Sequence, residues 1–295
     1  DADQQKDADQ QESADQQAQP QQAAPAAAPA ASTPVNKKEN GFWGNTITVI
    51  NNFANKALKL TLKDVKIDVS HTGTENYINP EAGKAALSVQ GKGNVEIELD
   101  GKNELKSGVY RAGLEKTSTG TLTLKDDNQK DDNQKAGSLT ATGGKYGAGI
   151  GGGEGGNGED ITITGGTVNA ASGDGAGIGG GYKGNGKNIT ITDGEVTAIG
   201  GLNGAGIGGG LRNNGEKITV SGDATLKVQG GPTDAWDGAG AGIGNGGYIT
   251  EELTPVNGAE TEPDTSNLTT GKIEYYAPGA DMTKDKPTST TLGSG

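Results

Sequence analysis

Along the middle of this chain, apolar side chains alternate with polar ones in short bursts, and the bursts return at a fixed interval. Ile161 and Ile163, Val168 and Ala170, and Ala176 and Ile178 are each separated by one residue, the period-two pattern of a strand with one face turned inward. The same six positions return as Ile189, Ile191, Val196, Ala198, Ala205 and Ile207, and again as Ile218, Val220, Leu226, Val228, Ala241 and Ile243. The unit from Ile161 to Asn188 is 28 residues long. Three short strands per unit, each with few inward side chains, bury those side chains only by stacking on the next unit. The pattern predicts an all-β, single-stranded parallel β-helix with about 28 residues per coil. The strong bias of parallel crossovers makes it right-handed.

A glycine heptapeptide keeps step with the strands. Gly-Ala-Gly-Ile-Gly-Gly-Gly stands at 147–153, 175–181 and 204–210, and Gly-Ala-Gly-Ile-Gly-Asn-Gly at 240–246, at spacings of 28, 29 and 36 residues. Its Ala and Ile fill inward positions, and its glycines leave one outer face nearly bare, so that backbones stack at roughly 4.8 Å without crowding. The corners Gly165-Gly166, Asp193-Gly194 and Gly222-Asp223 are residue types that tolerate positive φ. Thr162, Thr190 and Thr219 form an outward ladder suited to β-branched side chains. The pattern continues less regularly upstream, and roughly seven coils fit between 44 and 250. Phe42, Trp43 and Phe53 are expected to cap the first coil, whose edge would otherwise be open.

Composition supports a solenoid over a thick core: only 30% of the 295 residues are hydrophobic, with 54 Gly, two Phe and two Trp. The formal charge of −13 repels phosphate backbones and anionic membranes, which argues against nucleic acid as a partner. The absence of Cys removes disulfides, thiolate metal sites and thiol nucleophiles. Residues 1–18 repeat a hexapeptide of the type Asp-Ala-Asp-Gln-Gln-Lys, which has no large apolar side chain to bury, so 1–40 reads as a disordered spacer. The β-helix then covers 41–278 and a Thr/Pro/Ser-rich linker covers 279–295. A start at Asp1 without an apolar signal segment is expected of an exported, processed chain. No run reaches the roughly 18 to 20 apolar residues of a membrane span, so direct membrane insertion is not expected.

The run Gly-Ser-Leu-Thr-Ala-Thr-Gly-Gly at 137–144, leading into the heptapeptide and Ile-Thr-Ile-Thr-Gly-Gly-Thr-Val, resembles the glycine-rich β-helical modules of large secreted or wall-attached proteins from Gram-positive gut bacteria. So does Asn94-Val-Glu-Ile-Glu-Leu-Asp-Gly-Lys-Asn-Glu-Leu-Lys-Ser-Gly108. The resemblance covers roughly 58–250. It implies an exported surface protein of a carbohydrate-binding or adhesin-like kind, with 1–40 as its stalk, and it supplies no catalytic residue.

Four places carry candidate chemistry. Gly155-Gly-Asn-Gly-Glu-Asp160 opens like a calcium nonapeptide. The motif is not in tandem, however, and its counterpart has Asn188 in place of the Asp, so a structural turn is expected and no metal. Asp174, Asp193, Glu195 and Asp223 lie near strand ends, with Lys183 and Arg212 after successive heptapeptides, but they form no compact acid, base and cation set. His71, the single histidine, sits among loop-forming neighbours. The insertion Gly230-Gly-Pro-Thr-Asp234-Ala-Trp236-Asp237-Gly238 breaks the period and carries a Trp flanked by two carboxylates. That combination stacks on a sugar ring and accepts its hydroxyl protons; alternatively, Trp236 folds back over a coil edge. Tyr182 and Tyr146, beside two heptapeptides, extend such a surface.

These features predict a surface recognition or adhesion module that binds a glycan, or a host surface or immune protein, without a cofactor. A polysaccharide lyase or glycoside hydrolase is the second reading, and a non-binding stalk the third.

Overall fold

The computed structural model describes residues 40–76, 78–127 and 136–295. The expected spacer, but for Asn40, and all but the first two residues of the duplicated polar run at 126–135 lie outside these.

The predicted coils are present as a parallel β-helix. One ladder of seven strands runs Ile47–Asn51, Leu87–Gly91, Leu114–Lys116, Ile150–Gly151, Ile178–Gly179, Ile207–Gly208 and Ile243–Gly244, one strand per coil. The other two ladders share a twelve-stranded sheet, because the corner between them does not always end the strand. Gly158–Ala171 and Gly186–Ile199 each run 14 residues through it. Three separate short strands were expected, and here two fuse into one bent strand with a register irregularity at 163–167. Gly166 and Gly194 make that bend at φ 85° and 91°, where a side chain would be strained.

All six inward positions of the unit at 161–188 are buried, as are their counterparts in the next two coils. Register is one-to-one: Ile161 stands over Ile189, and Ile189 over Ile218, with Thr162, Thr190 and Thr219 aligned outside. Each buried Ile or Leu contributes roughly 1.5–3 kcal/mol relative to exposure, and stacking identical shapes leaves little void.

The heptapeptide's fifth residue shows why it is glycine. Gly151, Gly179 and Gly208 have φ of 133°, 136° and 135°, and a Cβ on each would lie 2.0–2.1 Å from the carbonyl oxygen of the next coil. Such a contact is impossible for any side chain, so the bare face is a steric requirement of the stack.

The two ends are closed differently. At the start, Trp43 pairs with the open edge of Lys66–Asp68: its N–H donates to Lys66 O at 2.8 Å, and Asp68 N–H donates to its carbonyl at 3.0 Å. The Phe42 ring is buried under the Lys106 ammonium, 4.8 Å from its centroid. Phe53 takes no part in this cap. It is 74% exposed, because its turn projects from the coil.

At the far end, the Glu260 carboxylate accepts the Gly242 and Ile243 N–H groups at 2.8 and 3.1 Å. One coil earlier, the equivalent donors use Ala241 O and Gly242 O. Tyr275 follows Val228 in register and covers Gly242, and burial pushes its hydroxyl up to about 12. The segment expected as a linker at 279–295 folds back here: Ser289–Leu292 pairs antiparallel with Lys272–Tyr276. Its Ser-Thr-Thr-Leu has no apolar alternation, and backbone hydrogen bonds place it.

Candidate functional site

The Trp236 insertion is held rigidly. Asp234 Oδ1 accepts the N–H groups of Trp236 and Asp237 at 2.8 and 2.6 Å, and buried Asn203 donates to the carbonyls of Asp237 and Gly238, both at 2.9 Å. Trp236 does not fold back over a coil edge; its side chain is 64% exposed. Asp237 is not the free carboxylate that the sequence suggested. It is 5% exposed, and Arg212 Nε and Nη2 grip its two oxygens at 2.7 and 2.9 Å. Arg212 and Asp237 serve the loop, leaving Trp236 as its presented group.

Tyr182 and Tyr146 come together, and a third ring joins them. Tyr110 stacks on Tyr146 at 5.2 Å between centroids and 11° between planes, and Tyr146 meets Tyr182 edge-on at 4.9 Å. Lys145 and Lys183 lie 5.2 and 5.1 Å from the Tyr146 and Tyr182 centroids, and Lys145 is tied to Glu75 at 2.6 Å. Burial raises the Tyr146 and Tyr182 hydroxyls. Asp237 and Arg212 also act on Tyr182 electrostatically, which puts the Trp236 loop on the same side of the solenoid. Tyr110 was missed, although 36 residues separate it from Tyr146 and Tyr146 from Tyr182.

The tyrosines wall a groove made of three adjoining depressions of about 370, 400 and 320 Å³. The first and second share Pro80, Tyr110 and Glu154; the second and third share Thr117, Gly153 and Gly156. Heptapeptide glycines form part of the floor, since no side chain fills the space there. Stacked rings 5.2 Å apart admit no sugar between them, because two carbon contacts of roughly 3.5–4 Å each need more room. The ladder therefore offers a continuous apolar wall with phenolic hydroxyls, the amphipathic lining that suits glycan binding.

One coil places charges where the others carry glycine. Leu114 and Glu115 stand in register with Ile150 and Gly151, so Arg111-Ala-Gly-Leu-Glu-Lys-Thr117 is a variant of the heptapeptide. Arg111, Glu115, Lys116 and Thr117 replace four of its glycines. Arg111 Nη1 donates to Glu115 Oε1 at 3.1 Å, while the Glu115 side chain is only 4% exposed. Its Oε2 is a buried polar atom without a hydrogen-bond partner. Burial drives the Glu115 carboxyl above the usual range, with Arg111 opposing. Burial also lowers the Lys116 ammonium, against the fields of Asp160 and Glu159, and Lys116 Nζ donates to Ser118 O at 2.8 Å. Aligning this coil on the heptapeptide would have exposed the cluster.

The remaining candidates serve the fold or lie in an exposed turn. Asn157 Oδ1 accepts Asn185 N–H at 2.9 Å, and Asn185 Oδ1 accepts Asn214 N–H at 3.0 Å, so the calcium-like turn is a side-chain ladder between coils. Asp160 Oδ1 accepts from Asn188 Nδ2 at 3.0 Å. No cluster of three or more His, Asp or Glu able to hold a metal occurs among the described residues. Asp223 binds the Thr269 and Thr270 hydroxyls at 2.6 and 2.7 Å, which holds its carboxyl below the usual range. His71 lies in an exposed turn. A further depression, of about 720 Å³, is at the end closed by Glu260 and Tyr275.

Comparison with known proteins agrees with the fold. Residues 135–154, 161–182 and 189–211 match the beta helix repeat family, which supports a parallel β-helix module. The chain is similar to the uncharacterized lipoprotein YdeK of Escherichia coli (strain K12), at 26% identity over 101 residues. That match covers 32% of this chain and 8% of the relative's length. No solved structure matches.

Proposed function

We propose that this protein is a surface-exposed recognition module that binds an extended glycan along the groove walled by Tyr110, Tyr146 and Tyr182. The tyrosine ladder carries the reading: Tyr110 stacked on Tyr146, and Tyr146 edge-on to Tyr182, form a row of half-buried rings that line one depression of the groove with apolar edges and hydroxyls, a surface that suits an extended polymer. Carboxylates along the groove accept sugar hydroxyls, and Trp236 offers a further stacking face on the same side. An exported location fits the lipoprotein name of the E. coli relative and the resemblance to secreted or wall-attached modules. Of the four carboxylates first considered for chemistry, Asp193, Glu195 and Asp223 do not line the groove, and only Asp174, raised by burial, acts on Tyr146 and Tyr182; binding is favoured over cleavage because the set is dispersed.

The test is a glycan array probed with the purified chain, with host surface and immune proteins printed beside the glycans and reducing-end release measured in parallel. A glycan signal lost in Tyr146→Ala and Tyr182→Ala, without turnover, is the expected result. Binding that survives both substitutions, or a signal on protein spots alone, overturns the groove. Turnover would instead support the lyase or hydrolase reading.

A further inference from the structure

We infer that the groove selects a glycan bearing free amino groups, with the Glu115 carboxylate as the group that recognises the ammonium. This rests on the groove being the glycan site and adds the chemistry of the ligand.

Two observations converge. First, Glu115 Oε2 has no donor although its side chain is 4% exposed. A buried, unpaired carboxylate oxygen is destabilising, and a ligand N–H donor removes that cost through a charge-assisted hydrogen bond. Second, the groove lining is acidic: Glu75, Glu115, Glu154, Glu159 and Asp160 stand against Arg111 and Lys116. Of the basic side chains in or beside the groove, Arg111 is engaged with Glu115, Lys116 with Ser118 O and Lys145 with Glu75, while Lys183 stands over the Tyr182 ring. A uronate or sulfated chain meets repulsion here, and a neutral sugar gains nothing from the field.

The oxygen lies beneath the turn at 153–156, where a Cβ on Gly153 would stand 3.0 Å from it. Three of the four residues in that turn are glycine, and the Cβ position of Gly155 has no atom within 4 Å. A donor reaches Oε2 by displacing this turn, which the Glu154 N–H ties to Tyr110 O at 2.9 Å and the Gly155 N–H to Tyr182 O at 2.7 Å, so binding at Glu115 is coupled to movement of backbone bonded to two of the wall tyrosines. The charge is also placed deliberately by the sequence: this coil alone among the heptapeptide-like ones carries Glu where Gly151, Gly179 and Gly208 stand.

Calorimetric titration with three probes decides the matter: a glucosamine hexamer, the N-acetylglucosamine hexamer and polygalacturonate, in a buffer that keeps the amines protonated. The glucosamine hexamer is expected to bind about tenfold or more tightly than its acetylated counterpart, the yield of one charge-assisted bond, and polygalacturonate not to bind. Glu115→Gln should erase the preference. It retains an acceptor for Arg111 and places a donor at the Oε2 position, while altering one of 38 acidic residues, so non-specific attraction of a polycation survives it. Tyr146→Ala should weaken both hexamers.

Equal affinity for the two hexamers, or tight polygalacturonate binding, overturns the ligand class and leaves the groove standing if Tyr146→Ala still matters. A preference that persists in Glu115→Gln overturns the role of that carboxylate. Failure of all three probes, or indifference to Tyr146→Ala, overturns both the groove reading and this inference.

Discussion

Arg212 holds both oxygens of Asp237 across 25 residues of chain, with Nε to Oδ1 at 2.7 Å and Nη2 to Oδ2 at 2.9 Å. The pair joins one coil to the insertion of the next and fixes the loop that presents Trp236. Its carboxylate side is buried and its guanidinium is 45% exposed, so solvent screens part of the attraction. Asp237→Ala should lower stability by about 1–3 kcal/mol and loosen residues 233–238. Denaturant unfolding and amide exchange of that segment measure both effects.

Trp236 is the opposite case. Its side chain is exposed, and its turn is set by Asp234 through backbone N–H groups. Trp236→Ala should change stability by less than about 0.5 kcal/mol while reducing glycan affinity. Unchanged affinity in a folded variant removes Trp236 from the binding surface.

The Glu260 carboxylate supplies the acceptors that a further coil would have given to Gly242 and Ile243. Glu260→Ala leaves two donors unpaired at the end of the stack. The expected loss is about 1–3 kcal/mol, with fraying that begins at this end. Hydrogen exchange should show Gly242 and Ile243 losing protection before Ile178 does; uniform loss along the helix would rule out the cap.

Glycine positions separate into two classes. A Cβ at Gly179 would lie 2.1 Å from Gly208 O, whereas one at Gly155 meets nothing within 4 Å. Gly179→Ala should prevent the coil from stacking and yield insoluble or partly folded protein. Gly155→Ala, at φ 65°, should cost only about 1 kcal/mol. Comparing soluble yield and melting temperature of the two variants checks the distinction.

The Glu115 carboxyl is raised by burial, so in the folded state it takes up its proton at higher pH than in the unfolded chain. Between the ordinary carboxylate value and the raised one, the native state binds more protons, and stability contributed by this group falls as pH rises through that window. Glu115→Gln removes the titration. Its stability relative to the parent should therefore increase from mildly acidic to neutral pH, as read from thermal melts across that range. A constant difference would show that Glu115 titrates alike in both states.

The coil architecture was legible in the sequence because each coil repeats the same local constraints. Ile161 and Ile163 alternate inward, and Gly166 takes the positive φ of a corner. The heptapeptide glycines fall where the next backbone leaves no room for a Cβ. Tyr146 and Tyr182 were legible as neighbours of the heptapeptide. Tyr110 and Glu115 were encoded too, in a coil whose heptapeptide is so altered that its register is visible only by superposition on Ile150 and Gly151.

What only the tertiary structure decided is which side chains meet across coils. The sequence placed Asp237 next to Trp236 as a free carboxylate, and the fold brought Arg212 onto it from 25 residues away. It placed Phe53 in a cap, and the fold left that ring in solvent. Residues 289–292 carried no apolar signal, yet they complete a sheet through backbone hydrogen bonds, which any sequence can make. Local periodicity determines a repeat because every coil obeys the same short-range sterics. The groove and its unpaired carboxylate arise from differences between stacked coils, and those acquire meaning only once the register is set.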